Sequence, residues 1–152
     1  MSGSQPGRTY VESTIIMTTV RLISPFVFTF GLFVMFHGAE SAGGGFQGGV
    51  IVAASLILVA FAFGIEPTRE WIGDRPARIA IATGALTFVF VGLGGLASGG
   101  LFLEYEAYGI HHGTKYGIEL VELGIGAIVS GVILSLFMNL AAGYSEEGGE
   151  NR

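Results

Sequence analysis

His37-Gly38-Ala39-Glu40-Ser41-Ala42-Gly43-Gly44-Gly45-Phe46-Gln47-Gly48-Gly49 separates two apolar runs, residues 15–36 before it and 50–64 after it. Such runs suit helices that cross a bilayer, since about 20 residues rising ~1.5 Å each cover ~30 Å of hydrocarbon. The connector must then reverse the chain at the membrane surface. Glycine permits this because it accepts positive φ and lets backbones approach closely. A plain reversal needs one or two glycines, whereas five occupy the seven positions 43–49, with His37 and Glu40 just before them. Two readings of the excess stand side by side: a tight turn with close helix packing, or a non-helical segment lining a polar cavity at membrane depth.

The rest of the chain has the same character. Of 152 residues, 51% are hydrophobic and only 12% charged, and the apolar ones form continuous blocks. Continuous blocks argue for helices, where a barrel would alternate at period two. The fold expected is an all-α integral membrane protein with four transmembrane helices, near residues 13–36, 46–65, 78–97 and 117–142. Residues 1–12 form an N-terminal tail, 13–142 the four-helix domain, and 143–152 an acidic tail with Glu146, Glu147 and Glu150. The first eight residues are polar and the first apolar block is too long for a signal h-region, so no cleavable signal peptide is expected. A polar connector is expected over 66–77. Arg21 and Pro25 lie inside the first span. Residues 25–36 alone would rise only ~18 Å, so one helix bent near Pro25 is expected, with Arg21 near the surface or facing a partner.

Arg8, Arg21, Arg69, Arg75, Arg78 and Arg152 fall on or near one side of this topology, and only Lys115 on the other. The positive-inside rule then puts both termini in the cytoplasm of a plasma-membrane protein, with the glycine connector and the 98–116 loop outside. The absence of cysteine excludes disulfides, thiolate metal sites and thiol catalysis. A net charge of −5 carries no nucleic-acid signature.

Few polar groups remain as carriers of chemistry. Glu119 and Glu122 stand three residues apart at the start of the fourth span, so their carboxylates share a helix face. Glu122 lies about one turn inside the apolar run. A carboxylate there must face protein, water or a cation rather than lipid. Lys115, four residues before Glu119, is its expected local partner. His37 and Glu40 would share a face if the first helix continued that far, and a histidine at a pore mouth titrates near neutral pH. On the other side of the fourth span, Gly124, Ala127, Gly131 and Ser135 form a smooth seam for close helix contact. His111 and His112 are adjacent, which does not place both on one helix face, so no metal site is expected. Gly43-x-Gly45-x-x-Gly48 has dinucleotide-fingerprint spacing but follows an apolar span rather than a strand, so no cofactor is read from it.

The run from Ser24-Pro25 through His37-Gly38, Gly43-Gly44-Gly45-Phe46-Gln47-Gly48-Gly49 and Gly64 resembles the MnhB/MrpB family. These are small membrane subunits of Mrp-type multisubunit sodium/proton antiporters. The likeness continues into Glu122-Leu123-Gly124-Ile125-Gly126 and covers roughly residues 10–142. One departure is Ala42, where the family often carries proline, which implies a looser turn here. The resemblance implies a non-enzymatic subunit among large antiporter-like subunits and other small membrane subunits, in contact with sodium ions and protons. The large subunits are credited with channels built from lysines and glutamates, and no lysine lies in any span of this chain. Related small subunits occur in membrane-bound hydrogenase-type complexes, a second possible parent. Two roles follow. Glu122, Glu119, His37 and Glu40 form the polar mouth of a cation pathway shared with neighbours, or the subunit is purely structural and holds partners through its small-residue seam.

Overall fold

The computed structural model describes residues 13–40 and 44–150, with side chains as far as residue 141. The 1–12 tail, Gly43 of the glycine run and the side chains of the acidic tail lie outside the described residues. The elements are α1 (Thr14–Phe36), α2 (Gly45–Phe63), α3 (Ile65–Ile72), α4 (Arg75–Ala97), a 3-10 turn (Tyr105–Tyr108) and α5 (Gly113–Glu150). Four stretches are long and apolar enough to cross a membrane: α1, α2, α4 and Gly113–Ala141 of α5.

Helix α1 runs unbroken through Pro25. Proline has no N–H to give the carbonyl four residues back, and neighbouring hydroxyls stay tied to their own helix. Ser24 donates to the Val20 carbonyl at 2.7 Å and Thr29 to that of Pro25 at 2.7 Å. Arg21 is exposed, with its guanidinium 5.0 Å from the Phe63 ring centroid, level with the end of α2.

The segment expected as a plain connector, 66–77, contains a helix instead. Gly64, at φ 99°, turns the chain out of α2 and straight into α3. Pro67 sits in the first turn, where its missing N–H removes no bond. Gly73, at φ 67°, stops the helix. Thr68 is buried, with its hydroxyl on the Gly64 carbonyl, while Trp71 is exposed. Eight residues are too few to show a helical period in sequence. Helix α5 begins four residues before the expected 117, and its backbone stays helical through Glu150.

The long helices pack in the order α1–α2–α5–α4, with α1 also touching α5. Each crossing is made by glycine against glycine. A Cβ on Gly48 of α2 would stand 2.7 Å from the Gly31 carbonyl oxygen of α1. One on Gly49 would stand 2.7 Å from that of Gly126 on α5, and one on Gly124 3.0 Å from that of Gly84 on α4. Removing side chains brings the backbones together, so the helices are held by dispersion and Cα–H···O contacts rather than by hydrophobic burial. Larger side chains fill in near α3, where Ala60, Leu134 and Met138 are buried among Leu56, Ile57 and Phe137.

Much of the surface is apolar. Phe26, Phe30 and Phe33 of α1, and Leu86, Phe90 and Leu93 of α4, are all exposed. Water does not tolerate a contiguous face of this kind, and lipid or protein does. With four apolar helices, this is a multi-pass membrane protein.

The 98–112 loop folds back onto the helix ends. The Phe102 ring lies against Gly92, Tyr105 against Gly117 and Tyr108 against Gly94, and the Tyr108 hydroxyl donates to the Val91 carbonyl. Glycine notches on α4 and α5 thus receive the loop's aromatic rings.

Candidate functional site

The site lies where α1 ends, α2 begins and α5 passes beneath them. Helix α1 stops at Phe36, and residues 37–40 form a turn in which the Glu40 N–H donates to the His37 carbonyl at 3.2 Å. The shared helix face expected of His37 and Glu40 therefore does not form. Gly44 carries the reversal at φ 94° and ψ −160°, a conformation that costs a side chain dearly. Gly45, Gly48 and Gly49 are already helical and buried, while Phe46 is 63% exposed and Gln47 is exposed. Among the described residues of the glycine run, one glycine turns the chain and three let other backbones in.

What they let in is Glu122. Its carboxylate lies against Gly38 and Gly44, and its backbone carbonyl lies against Gly45. A Cβ on Gly38 would overlap the carboxylate, and one on Gly45 would overlap the carbonyl. A Cβ on Gly44 would stand 2.7 Å from Oε1 and 2.9 Å from Oε2. The Oε2 atom is buried and has no hydrogen-bond partner among the described residues. It faces the start of α2, whose first amides receive no side-chain cap from Gly44. Such a helix start carries partial positive charge and favours an anion beside it. Glu119 lies one turn earlier on α5, half-buried, with no ion pair among the described residues.

The lysine expected beside Glu119 is turned elsewhere. Lys115 is hydrogen-bonded and ion-paired with Glu40, 75 positions away in sequence. Chain topology decides this partnership: Glu40, in the turn after α1, lies against the start of α5, and helix spacing could not show it. The Lys115 hydrogen bond, and then its charge, hold the Glu40 carboxyl below its ordinary range, with a smaller contribution from His37.

His37 stacks on Phe33, ring centroids 4.1 Å apart, with Nδ1 3.0 Å from the Phe33 carbonyl oxygen. That contact requires the proton on Nδ1. His111 and His112 lie in the exposed loop with centroids 4.0 Å apart. No group of three or more metal-binding side chains occurs among the described residues.

Of the small-residue seam, Gly124 and Gly131 face this chain's own α4. A Cβ on Gly131 would stand 2.8 Å from both the Ala77 oxygen and Ile81 Cγ1. The Ala127 carbonyl accepts the Ser130 hydroxyl at 3.2 Å, and the Ser135 carbonyl accepts the Asn139 amide at 2.7 Å. Two contributors escaped sequence reasoning. Gly38 cradles the Glu122 carboxylate, and Met35 fills the space between Gly48 and Gly126. Only the glycine excess hinted at either.

Chemically, the site is a carboxylate with one oxygen unclaimed, pressed beneath a non-helical backbone at a helix start. Such a group takes up a proton, or a hard monovalent cation that prefers oxygen donors.

Residues 15–135 match the family model described as "Domain related to MnhB subunit of Na+/H+ antiporter". The chain is 33% identical over 141 residues to "Putative antiporter subunit mnhB2" of Staphylococcus haemolyticus (strain JCSC1435), covering 88% of this chain and 99% of that protein. It is 34% identical over 143 residues to the protein of the same description from Staphylococcus aureus (strain Newman), with the same coverage.

Proposed function

This chain belongs to the MnhB family, subunits of multisubunit Na+/H+ antiporters, and from that premise we propose that Glu122 is a cation-binding step in the complex's ion pathway. The observation that carries the reading is the Glu122 carboxylate wedged into the Gly38–Gly44–Gly45 elbow with Oε2 unpartnered. A subunit that only scaffolds gains nothing from this group, because an ionisable side chain in an apolar setting is costly. Glu119 extends the acidic face one turn towards the connector end. His37 and Glu40 sit in the connector above it, so all four polar residues belong to one end of the molecule.

In this reading, both termini lie in the cytoplasm of a plasma-membrane protein and the connector faces outward. The pathway is completed by large antiporter-like subunits and other small membrane subunits that exchange sodium ions for protons. The chain has no catalytic site of its own, acts without a cofactor and does not bind nucleic acid. Its relatives' descriptions name antiporter subunits, which favours that parent over a hydrogenase-type complex.

The test is Glu122→Gln in the assembled complex, with sodium-dependent proton transport measured in inverted vesicles. Loss of one charged binding group lowers transport at limiting sodium by about tenfold or more, with subunit co-purification unchanged. Equal transport across several sodium concentrations refutes the reading and leaves the structural role.

A further inference from the structure

We propose that Lys115 is a tethered cation able to occupy the acidic face of α5, and that Glu40 keeps it away so that sodium can reach that face. The inference rests on the reading in which Glu119 and Glu122 receive the cation.

Lys115, Glu119 and Glu122 follow at i, i+4 and i+7, one above another on a single helix face. The ammonium therefore has two carboxylates in reach: Glu119 on its own helix, whose charge it already feels, and Glu40 on the connector. The structure shows the second choice. Both partners of the pair are well exposed, with side chains 44% and 57% accessible for Lys115 and Glu40. An ion pair that wet contributes little to stability, so it is a poor staple and an easily exchanged contact. Its consequence is positional, because it turns the one lysine of the chain away from Glu119 and leaves both inner carboxylates without an ion pair among the described residues.

Neutralising Glu40 releases that lysine. The remaining carboxylate in reach is Glu119, so a fixed positive charge swings to the face where sodium must bind. Two unit charges about 6 Å apart, at an effective dielectric of roughly 40, repel enough to weaken sodium binding about tenfold.

The experiment compares the apparent KM for sodium in complexes carrying E40Q, K115Q, E40Q/K115Q and E122Q. E40Q raises KM about tenfold, and removing the released lysine in the double variant restores it to within about twofold of wild type. A normal KM in E40Q overturns the proposal. So does a double variant as impaired as E40Q, since Glu40 would then only brace the connector. The charge swap E40K/K115E gives an independent measurement should E40Q fail to assemble. It re-forms the cross-link with no cation free to turn inward, so a near-normal KM supports the proposal and a tenfold rise overturns it. Failure of the underlying reading looks different. E122Q would then transport sodium like wild type, whereas an impaired E122Q beside a normal E40Q removes the lysine's role alone.

Discussion

Replacing Gly45 with alanine adds one methyl group and sets two effects against each other. In an unhindered helix the change is favourable by ~0.8–1 kcal/mol, because alanine loses less backbone entropy than glycine. At this position the new Cβ would overlap the Glu122 carbonyl oxygen and stand 2.7 Å from its carbon and 3.0 Å from its Cα. All three atoms belong to the backbone of α5, so no rotamer change relieves the overlap. The two helices must separate, which also opens the Gly49–Gly126 crossing, one turn further along α2. Overpacking of this kind costs ~1–3 kcal/mol, and a gap of 0.5–1 Å forfeits about a quarter to a half of each lost van der Waals contact. The contact therefore outweighs the propensity, for a net loss of ~1 kcal/mol. For a chain of this length that lowers the melting midpoint by ~2–4 °C. Heating the detergent-solubilised complex and reading the surviving peak by fluorescence size exclusion measures it, with Gln47→Ala, an exposed neighbour in the same turn, as control. If G45A melts with Q47A, the α2–α5 approach is not as close as described and the cradle around Glu122 loses its basis.

Gly38→Ala weighs more on function than G45A does, because its first obstacle is the Glu122 carboxylate, a side-chain tip that can swing aside, with the backbone Cα of Gly44 next at 2.7 Å. The expected result is a sodium KM raised about tenfold in a complex whose melting midpoint moves by less than that of G45A. Gly131→Leu drives a large side chain into the Ala77 backbone and Ile81, at least ~3 kcal/mol of overpacking, so α4 parts from α5 and the subunit disappears from the complex on native gels. The Glu40 carboxyl is held below its usual 4.5 by Lys115. A depressed carboxylate keeps its pair above the ordinary range and loses it only as pH falls through the lowered value. Between about pH 6 and 9 the pair does not titrate, so wild type and E40Q/K115Q show transport profiles of the same shape there, and profiles that diverge within that window refute the assignment.

The spans were legible because each is an unbroken apolar block of bilayer length, and the glycine connector because its composition exceeded what a turn requires. Helix α3 was not legible, since eight residues with a proline in the first turn look like a loop. Glu122 stood out as a carboxylate without a local partner, yet nothing in the order of residues says that Gly38 and Gly44 enclose it. Those contacts come from how α1, α2 and α5 meet in three dimensions. The Lys115 partnership failed for the same reason. Spacing along one helix offered Glu119, and a residue on a distant turn took the lysine. In the seam, Gly124 and Gly131 lie against the chain's own α4, an occupant invisible at that level.

The order α1–α2–α5–α4 has a consequence for how the antiporter is built. Four helices joined side by side by their backbones make a partition among the described residues. In the reading proposed above, an ion bound at Glu122 travels along this partition, and its route exists only once a neighbouring subunit closes the far side. On that reading the subunit can enter the bilayer ahead of its neighbours without leaking the gradient that the finished machine exploits.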